Sequence, residues 1–511
     1  MNVQNIWNKF ISNSKNFKKV ILFISLIFII INLFTLSRHP LPWADDTFFA
    51  GVSNSFIEEG KFYQTAWIKD SNPNYEALHY GPMYFYFTSF TMNILGKSIF
   101  SFRIVSFLLG ILSLILFYKI CIRIGLNEKT ASLFSFLYLI DNQFLFGIKY
   151  GRMESVCVFL TFFAFWLILK SVHSQKRLFL IFISSLSTSL AILTSPRSVI
   201  ILIPVFIFLI YLTVKSSRNN LFNTVIVYCT PVIILYIIWI FTGFGGFAEF
   251  FHYYIDNAQP HLNNTKLFSS FLGGNFFINI IHYPLLFISV CCTVYLLVKR
   301  KFFTPVLIYA LGGLILYFVL VFETGPYATL IIANYYLIIA NVFDRIETIK
   351  HRRVLNFSLV IILVISLSLF SFKGVKLISN WENRNPELSD LFIKNYIPEG
   401  SKIIGNPIYF FSGIKNNCEF TNLPGDSNVE LLDKFLSEQY DFEYLVMSKN
   451  SISGNNKLYN YFFNNYSLSR VGELNLKEPG INNKLFKPLA DKSLLFIDSF
   501  DYSGVIYRRE L

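Results

Sequence analysis

Apolar stretches of about 17–25 residues recur along this chain between polar breaks, and that is the length at which a helix crosses hydrocarbon. They fall near residues 20–36, 101–120, 131–148, 153–170, 178–195, 198–214, 222–242, 276–298, 303–321, 326–343 and 354–372, which makes eleven expected spans. A shorter stretch, 82–96, opens on Gly81-Pro82. Proline suits the first turn of a helix, so this segment is expected to lie along the membrane interface rather than cross it. Beyond residue 375 the chain becomes polar and Asn-rich, with short apolar runs such as Tyr444–Met447 and Leu494–Ile497 between turn residues. That pattern reads as a small α/β domain. The expected architecture is an α-helical polytopic membrane domain over 1–374, with a first outer loop over 37–100, followed by an extracytoplasmic α/β domain over 375–511. No internal repeat is evident, which argues against transporter folds built from inverted repeats.

Charge placement orients the spans. Lys119, Arg123 and Lys129, then Lys176 and Arg177, Lys215 and Arg218, Lys299 to Lys301, and Arg345 to Arg353 occupy every second connection. By the positive-inside rule these loops face the cytoplasm, as does the N-terminus. The first apolar run, Val20–Leu36, follows Lys9, Lys15, Lys18 and Lys19. It is long for a signal peptide and no small-x-small cleavage site follows, so it reads as a retained helix.

Composition agrees. Of 511 residues 54% are hydrophobic and only 15% charged, where a soluble protein carries about a quarter charged. The mean hydropathy is +0.49. A net charge of +13 reports loop topology and contact with anionic lipid rather than nucleic acid. Six scattered cysteines show neither metal nor redox spacing, so no disulfide framework is implied. The low-Cys, Asn/Lys/Ile/Phe-rich chain suits a bacterial inner membrane.

The candidate chemistry lies in the connections that avoid the basic clusters. Asp45-Asp46 follows the first span. Adjacent carboxylates at a membrane surface suit a general base whose proton affinity the neighbour raises, a divalent metal site, or no more than a solvated pair or helix cap. His79-Tyr-Gly-Pro-Met-Tyr84 opens the interfacial segment, where an aromatic belt is the plainer reading. Arg103 starts the next span, and as a lone cation it would snorkel to phosphates. Arg152 and Glu154 sit at another outer boundary, beside Lys149, as a salt bridge or a site. Arg197 is a bare cation suited to bidentate phosphate binding, and Glu323-Thr-Gly-Pro-Tyr327 adds a carboxylate and a phenol. His252, His261 and His282 are too dispersed for a zinc site.

Taken in order, Asp45-Asp46, Gly81-Pro-Met-Tyr84, Ser101–Gly110 (SFRIVSFLLG), Gly151-Arg-Met-Glu154, Ser189–Ser195 (SLAILTS) and Gly325-Pro-Tyr327 resemble the polyprenyl-phosphate-dependent glycosyltransferases of the GT-C fold. The likeness is to protein O-mannosyltransferases and aminoarabinose lipid A transferases. It implies transfer of a sugar from a polyprenyl phosphate to a lipid, glycan or protein acceptor outside the cytoplasm. It also implies that Asp45 is the base and that Asp46 supports it or binds acceptor. Arg152, Arg197, Lys149 and Tyr327 would bind the donor phosphate, with Glu154, His79, Tyr84, Arg103 and Glu323 supporting the site or the acceptor. The chain departs from the family pattern in three places: Glu154 stands for Asp, Ser195 and then Arg197 stand for Lys, and Tyr80-Gly-Pro-Met83 stands for His-Pro-Pro-Leu. One carboxylate without a covalent intermediate implies inversion at the anomeric carbon. No Gly-rich nucleotide loop is present, and the sequence calls for no cofactor, while leaving open a divalent ion that Asp45 and Asp46 could hold. The rival readings are a transporter or flippase of lipid-linked sugars, which should carry paired charges at mid-bilayer, and a non-catalytic assembly protein.

Overall fold

The computed structural model describes residues 14–66, 75–76, 80–216, 220–253, 255, 284–298, 305–320, 326–346, 349–423, 432–434, 436, 441–452, 457–476 and 501–510. His79, Glu323, His261, His282 and the run Leu494–Ile497 lie outside them.

Each expected span is helical over its described residues. The first is α1 (Ser14–Phe34), and it is followed by α2 (Ala44–Glu59), the short α3 (Met83–Leu95) and the long α4 (Ile99–Arg123). The third apolar stretch is a broken helix, α5 (Glu128–Leu139) and α6 (Asn142–Lys149), bent by 59°. Asp141 causes the break. Its carboxylate accepts from the backbone N–H of Gln143 and Phe144 and so starts a second helix, as a capping aspartate does. Then come α7 (Met153–Ser171), α8 (Arg177–Ile192), α9 (Val199–Ser216), α10 (Leu221–Trp239), α11 (Pro284–Val298), α12 (Pro305–Leu320), α13 (Ile332–Arg345) and α14 (Ile349–Ser379). Among the described residues five helices are long and apolar enough to cross a membrane, or six if the bent pair is one span. The shorter apolar ones include α8 and parts of α11, α12 and α14. Leu22, Phe23 and Phe34 of α1, Phe222 of α10 and Phe357 of α14 are largely exposed. That is the outward apolar surface a bundle presents to lipid rather than to water.

Residues 37–100, expected as a loop, are largely structured. Asp45 and Asp46 stand in the first turn of α2, where carboxylates favour the positive end of the helix dipole. Asp46 Oδ2 accepts from the Trp43 N–H at 3.4 Å and closes a capping box. Helix α3 is pinned end-on to α8, with Met83 N–H donating to the Leu193 carbonyl at 3.0 Å. Gly81 permits that approach, because a Cβ there would overlap the Leu193 carbonyl and Cα. Backbone cannot yield as a side chain can. Gly81→Val is therefore expected to lower the melting temperature of the detergent-solubilised protein by a cost of about 1–3 kcal/mol or more. Gly374→Ala, on α14 with nothing within 4 Å, should leave it unchanged or slightly raised.

The C-terminal domain has strands β1 (Lys402–Gly405), β2 (Glu419–Asn422), β3 (Tyr444–Ser448), β4 (Leu468–Leu474) and β5 (Gly504–Arg509), which form a five-stranded mixed sheet in the order β2-β1-β3-β5-β4. Strand β1 pairs in parallel with β2 and β3, while β5 runs antiparallel to β3 and β4. Helix α15 (Pro386–Tyr396) packs beside it.

This domain shares a core with the membrane domain. Phe411 lies 6.0 Å from Phe102 of α4, ring to ring. Asn422 donates from its backbone N–H to the Ala66 carbonyl at 2.8 Å, and from Nδ2 to Thr47 Oγ1 at 2.6 Å. Arg38 stacks on Trp381 at 4.1 Å and donates to its carbonyl. Helix α2 is thereby held from both sides.

Candidate active site

The starts of α2, α7 and α9 meet at one end of the bundle, and each brings a charged side chain. Asp45 and Asp46 are chain neighbours, but consecutive positions on a helix point about 100° apart, and the structure gives them different partners. Asp46 is fully buried and ion-paired to Arg103, itself fully buried. Arg103 also donates to the carbonyls of Leu36, Pro40 and Leu41 at 3.2, 2.6 and 3.2 Å. The expectation that Arg103 snorkels to lipid phosphates is therefore corrected. Both its Nη groups are spent on the turn between α1 and α2 and on Asp46, so the pair is an internal brace.

Asp45 is the accessible carboxylate, its side chain 31% exposed against 0% for Asp46. It pairs with Arg152, which caps the start of α7. Glu154 holds that same guanidinium in a fork, with Nε to Oε2 at 3.0 Å and Nη2 to Oε1 at 2.9 Å. The salt bridge expected between Arg152 and Glu154 is thus present, and Arg152 bridges it to Asp45. Burial pushes the Asp45 carboxyl above the ordinary aspartate range, with Arg152 pulling it back in part and Glu154 pushing it up. Burial likewise pushes Asp46 up, to about 6, against the pull of Arg103.

Arg197 sits on the short 3-10 turn Pro196–Ser198 ahead of α9. Its guanidinium lies 4.0 Å from the centroid of the Tyr327 ring, and that of Arg152 lies 5.4 Å from the same ring. Two cations meet on one phenol, the charge of Arg152 being met by Glu154 and Asp45, and Arg197 Nη1 is buried with no hydrogen-bond partner among the described residues. A buried unpaired donor of this kind is costly unless a ligand completes it. Lys149 points elsewhere, donating to Thr35 Oγ1 at 2.8 Å and tying α6 to the end of α1.

Tyr84 belongs to the scaffold beneath the site. Its hydroxyl donates to the Gly151 carbonyl and lies 3.1 Å from Ser106 Oγ, which in turn donates to the Arg152 carbonyl at 2.9 Å. Gly151 is required there twice over: its φ is +55°, and a Cβ would press on Phe102 and Asp46 Oδ1, a backbone state that favours glycine. Two aromatic residues that flank the sequence motifs, and were not singled out as site residues, line the same corner. Trp43 lies edge-on to Tyr150 at 5.4 Å and 6.0 Å from the Arg152 guanidinium. Tyr80 packs on Phe49 at 5.3 Å, and burial raises its phenol, against the pull of Arg197. Their signal was adjacency to Asp45 and to Gly81-Pro82, which does not separate a site wall from an aromatic belt.

Each of the two carboxylates turns to its own arginine, Asp45 to Arg152 and Asp46 to Arg103. Among the described residues no group of three or more His, Cys, Asp or Glu side chains is placed to hold a metal ion.

Comparison with known proteins gives the arrangement a context. Residues 79–242 match the family model described as dolichyl-phosphate-mannose-protein mannosyltransferase. No curated protein sequence matches the chain significantly. The structure resembles ArnT from Cupriavidus metallidurans in the apo state, with a TM-score of 0.56 and 12% identity over 96% of this chain and 97% of that one. The same protein bound to undecaprenyl phosphate superposes with a TM-score of 0.54 and 11% identity over 95% and 97% of the two chains. The Archaeoglobus fulgidus oligosaccharyltransferase in complex with zinc and sulfate gives 0.50 and 15% identity over 84% of this chain and 68% of that one. The long helical part and the small C-terminal domain are both covered by the ArnT match, and the chain is a membrane protein with the fold of the GT-C glycosyltransferases.

Proposed function

We propose that the chain transfers a sugar from a polyprenyl-phosphate donor to a hydroxyl or phosphate of an extracytoplasmic lipid, glycan or protein, with inversion at the anomeric carbon. The observation that carries the reading is a partly exposed Asp45 beside a corner where Arg152 and Arg197 flank one Tyr327 ring. A base and an anion site side by side are what displacement of a phosphate from a sugar needs. ArnT is seen with undecaprenyl phosphate bound, the leaving group this reaction would release.

The step balances as follows. The acceptor oxygen attacks the anomeric carbon while Asp45 takes its proton. The bond from that carbon to the phosphate oxygen breaks, and the electron pair leaves with the polyprenyl phosphate. Arg197, with Nη1 unspent, and Tyr327 receive the departing charge. Arg152 is divided between Glu154 and Asp45, and its first task is to hold the base in line. Fixed cations in a water-poor site give such charge stabilisation the larger share of the rate, and Asp45 adds the general-base share. The step needs no metal held between Asp45 and Asp46, since the arginines occupy both carboxylates, and turnover should persist in a chelator. The low-Cys, Asn/Lys/Ile/Phe-rich composition suits a bacterial plasma membrane, and the charge placement favours a cytoplasmic N-terminus with the site and the C-terminal domain (375–511) outside.

The test is to incubate the purified full chain in detergent with radiolabelled polyprenyl-phosphate sugars and a membrane extract. Labelled product together with free polyprenyl phosphate supports the reading. Movement of intact lipid-linked sugar across proteoliposomes with no cleavage would replace it with a transporter. The proton affinity of Asp45 predicts the pH profile: the base works when ionised and its carboxyl is raised, so kcat/KM should rise with pH along an acid limb placed above the ordinary aspartate value of 3.8. A limb at or below that value would detach the limb from Asp45.

A further inference from the structure

The opposite end of the bundle holds a second cationic construction that the transfer chemistry does not use. From Arg103 to Lys119 helix α4 runs 16 residues, roughly 24 Å at the α-helical rise, so the two ends are well separated. Around Lys18, Tyr118, Lys119, Arg123, Glu128 and Trp166 the ends of α1, α4, α5 and α7 enclose a recess of about 640 Å³. Lys119 from α4 and Lys170 from α7 both stack on the Trp166 ring, at 5.3 and 5.2 Å. Lys18 from α1 stacks on Tyr118 at 5.2 Å. Glu128 is the acidic member and lies 3.9 Å from Lys18.

Lone lysines that snorkel to an interface spread apart, because like charges repel. Here Lys119 is drawn to an indole that Lys170 also flanks, and Lys18, Lys119 and Arg123, from two different helices, line the recess together. Cation–π attraction is worth about 0.5–1 kcal/mol at an exposed site, and a bound anion would add attraction to each ammonium while relieving their repulsion. The recess lies at the membrane boundary between helices, where a phosphate with apolar chains beneath it matches both the charge and the exposed Ile122 rim. Basic pockets between membrane helices recognise lipid headgroups in this way. We propose that this recess binds the phosphate headgroup of an anionic glycerophospholipid, clamped by Lys119 and Arg123 beside Trp166.

The inference stands whether or not the chain transfers a sugar, since it uses no residue of that site. It is tested by native mass spectrometry of the full chain in detergent with phosphatidylglycerol, phosphatidylethanolamine or soluble glycerol 3-phosphate added. The wild type should retain phosphatidylglycerol at activation that strips phosphatidylethanolamine. Lys119→Gln combined with Arg123→Gln should lower that occupancy at least fivefold while the protein stays monodisperse. If the double variant fails to insert, the two single variants should each lower occupancy by a smaller factor. Equal retention by wild type and variants, or of both lipids, overturns the proposal. Glycerol 3-phosphate binding as tightly as the lipid would also overturn it, since the ligand would then be a soluble phosphate.

Discussion

Asp45→Asn should leave a folded, correctly inserted protein whose sugar-transfer rate falls by about 10²–10⁴-fold, the range a positioned general base supplies. Asparagine keeps the size of the side chain and an oxygen for Arg152, so the fork between Arg152 and Glu154 should survive. What is lost is the ability to take a proton. The loss should fall on kcat rather than on the KM for the donor, whose phosphate is assigned to Arg197 and Tyr327. The acid limb attributed to Asp45 should vanish with it. Single-turnover measurements with labelled donor decide the point, and turnover within about twofold of wild type would remove Asp45 as the base. Asp46→Asn offers the contrast. Asp46 is sealed behind Arg103, so its loss should lower stability before it lowers rate in whatever protein folds.

Arg103→Ala should be the most damaging single change to the fold, costing about 3–5 kcal/mol, as removal of one partner from a buried ion pair does. It strips Asp46 of its counter-ion and leaves the carbonyls of Leu36, Pro40 and Leu41 without their donor. The pH dependence has a definite sign. The folded Asp46 carboxyl is already raised to about 6 by burial, and without Arg103 it rises further. A raised folded value means that stability from the neutral form is fully present below the unfolded value of 3.8 and is lost as pH rises through the folded one. The variant should therefore be least impaired near pH 4 and most impaired near pH 8. Thermal unfolding in detergent across that range is the measurement. Arg103→Met with Asp46→Leu should recover much of the loss, because apolar replacement of a whole buried pair is often neutral. A double variant as unstable as Arg103→Ala would mean that the backbone carbonyls, not Asp46, are what Arg103 serves.

The pairings show how much the chain says for itself. Apolar runs of membrane length, basic residues in alternate loops and a change of texture after residue 375 were enough for a helical membrane domain and an appended α/β domain. Those features depend on local composition and on the chemistry of hydrocarbon, so a linear reading reaches them. The same holds for Asp45, Arg152, Glu154, Arg197 and Tyr327 as candidates, since ionisable groups at helix ends in a membrane are expensive enough to stand out. The sequence could not say which of two adjacent aspartates is accessible, that Arg103 is a brace, or that Arg152 and Arg197, 45 positions apart, share one ring. Each depends on helix rotation and on contacts between distant segments, as when α2 is held between Arg103 and Asn422. Burial then turns one carboxylate into scaffold and leaves its neighbour free to act, because it is long-range packing, not residue identity, that decides which charge meets solvent.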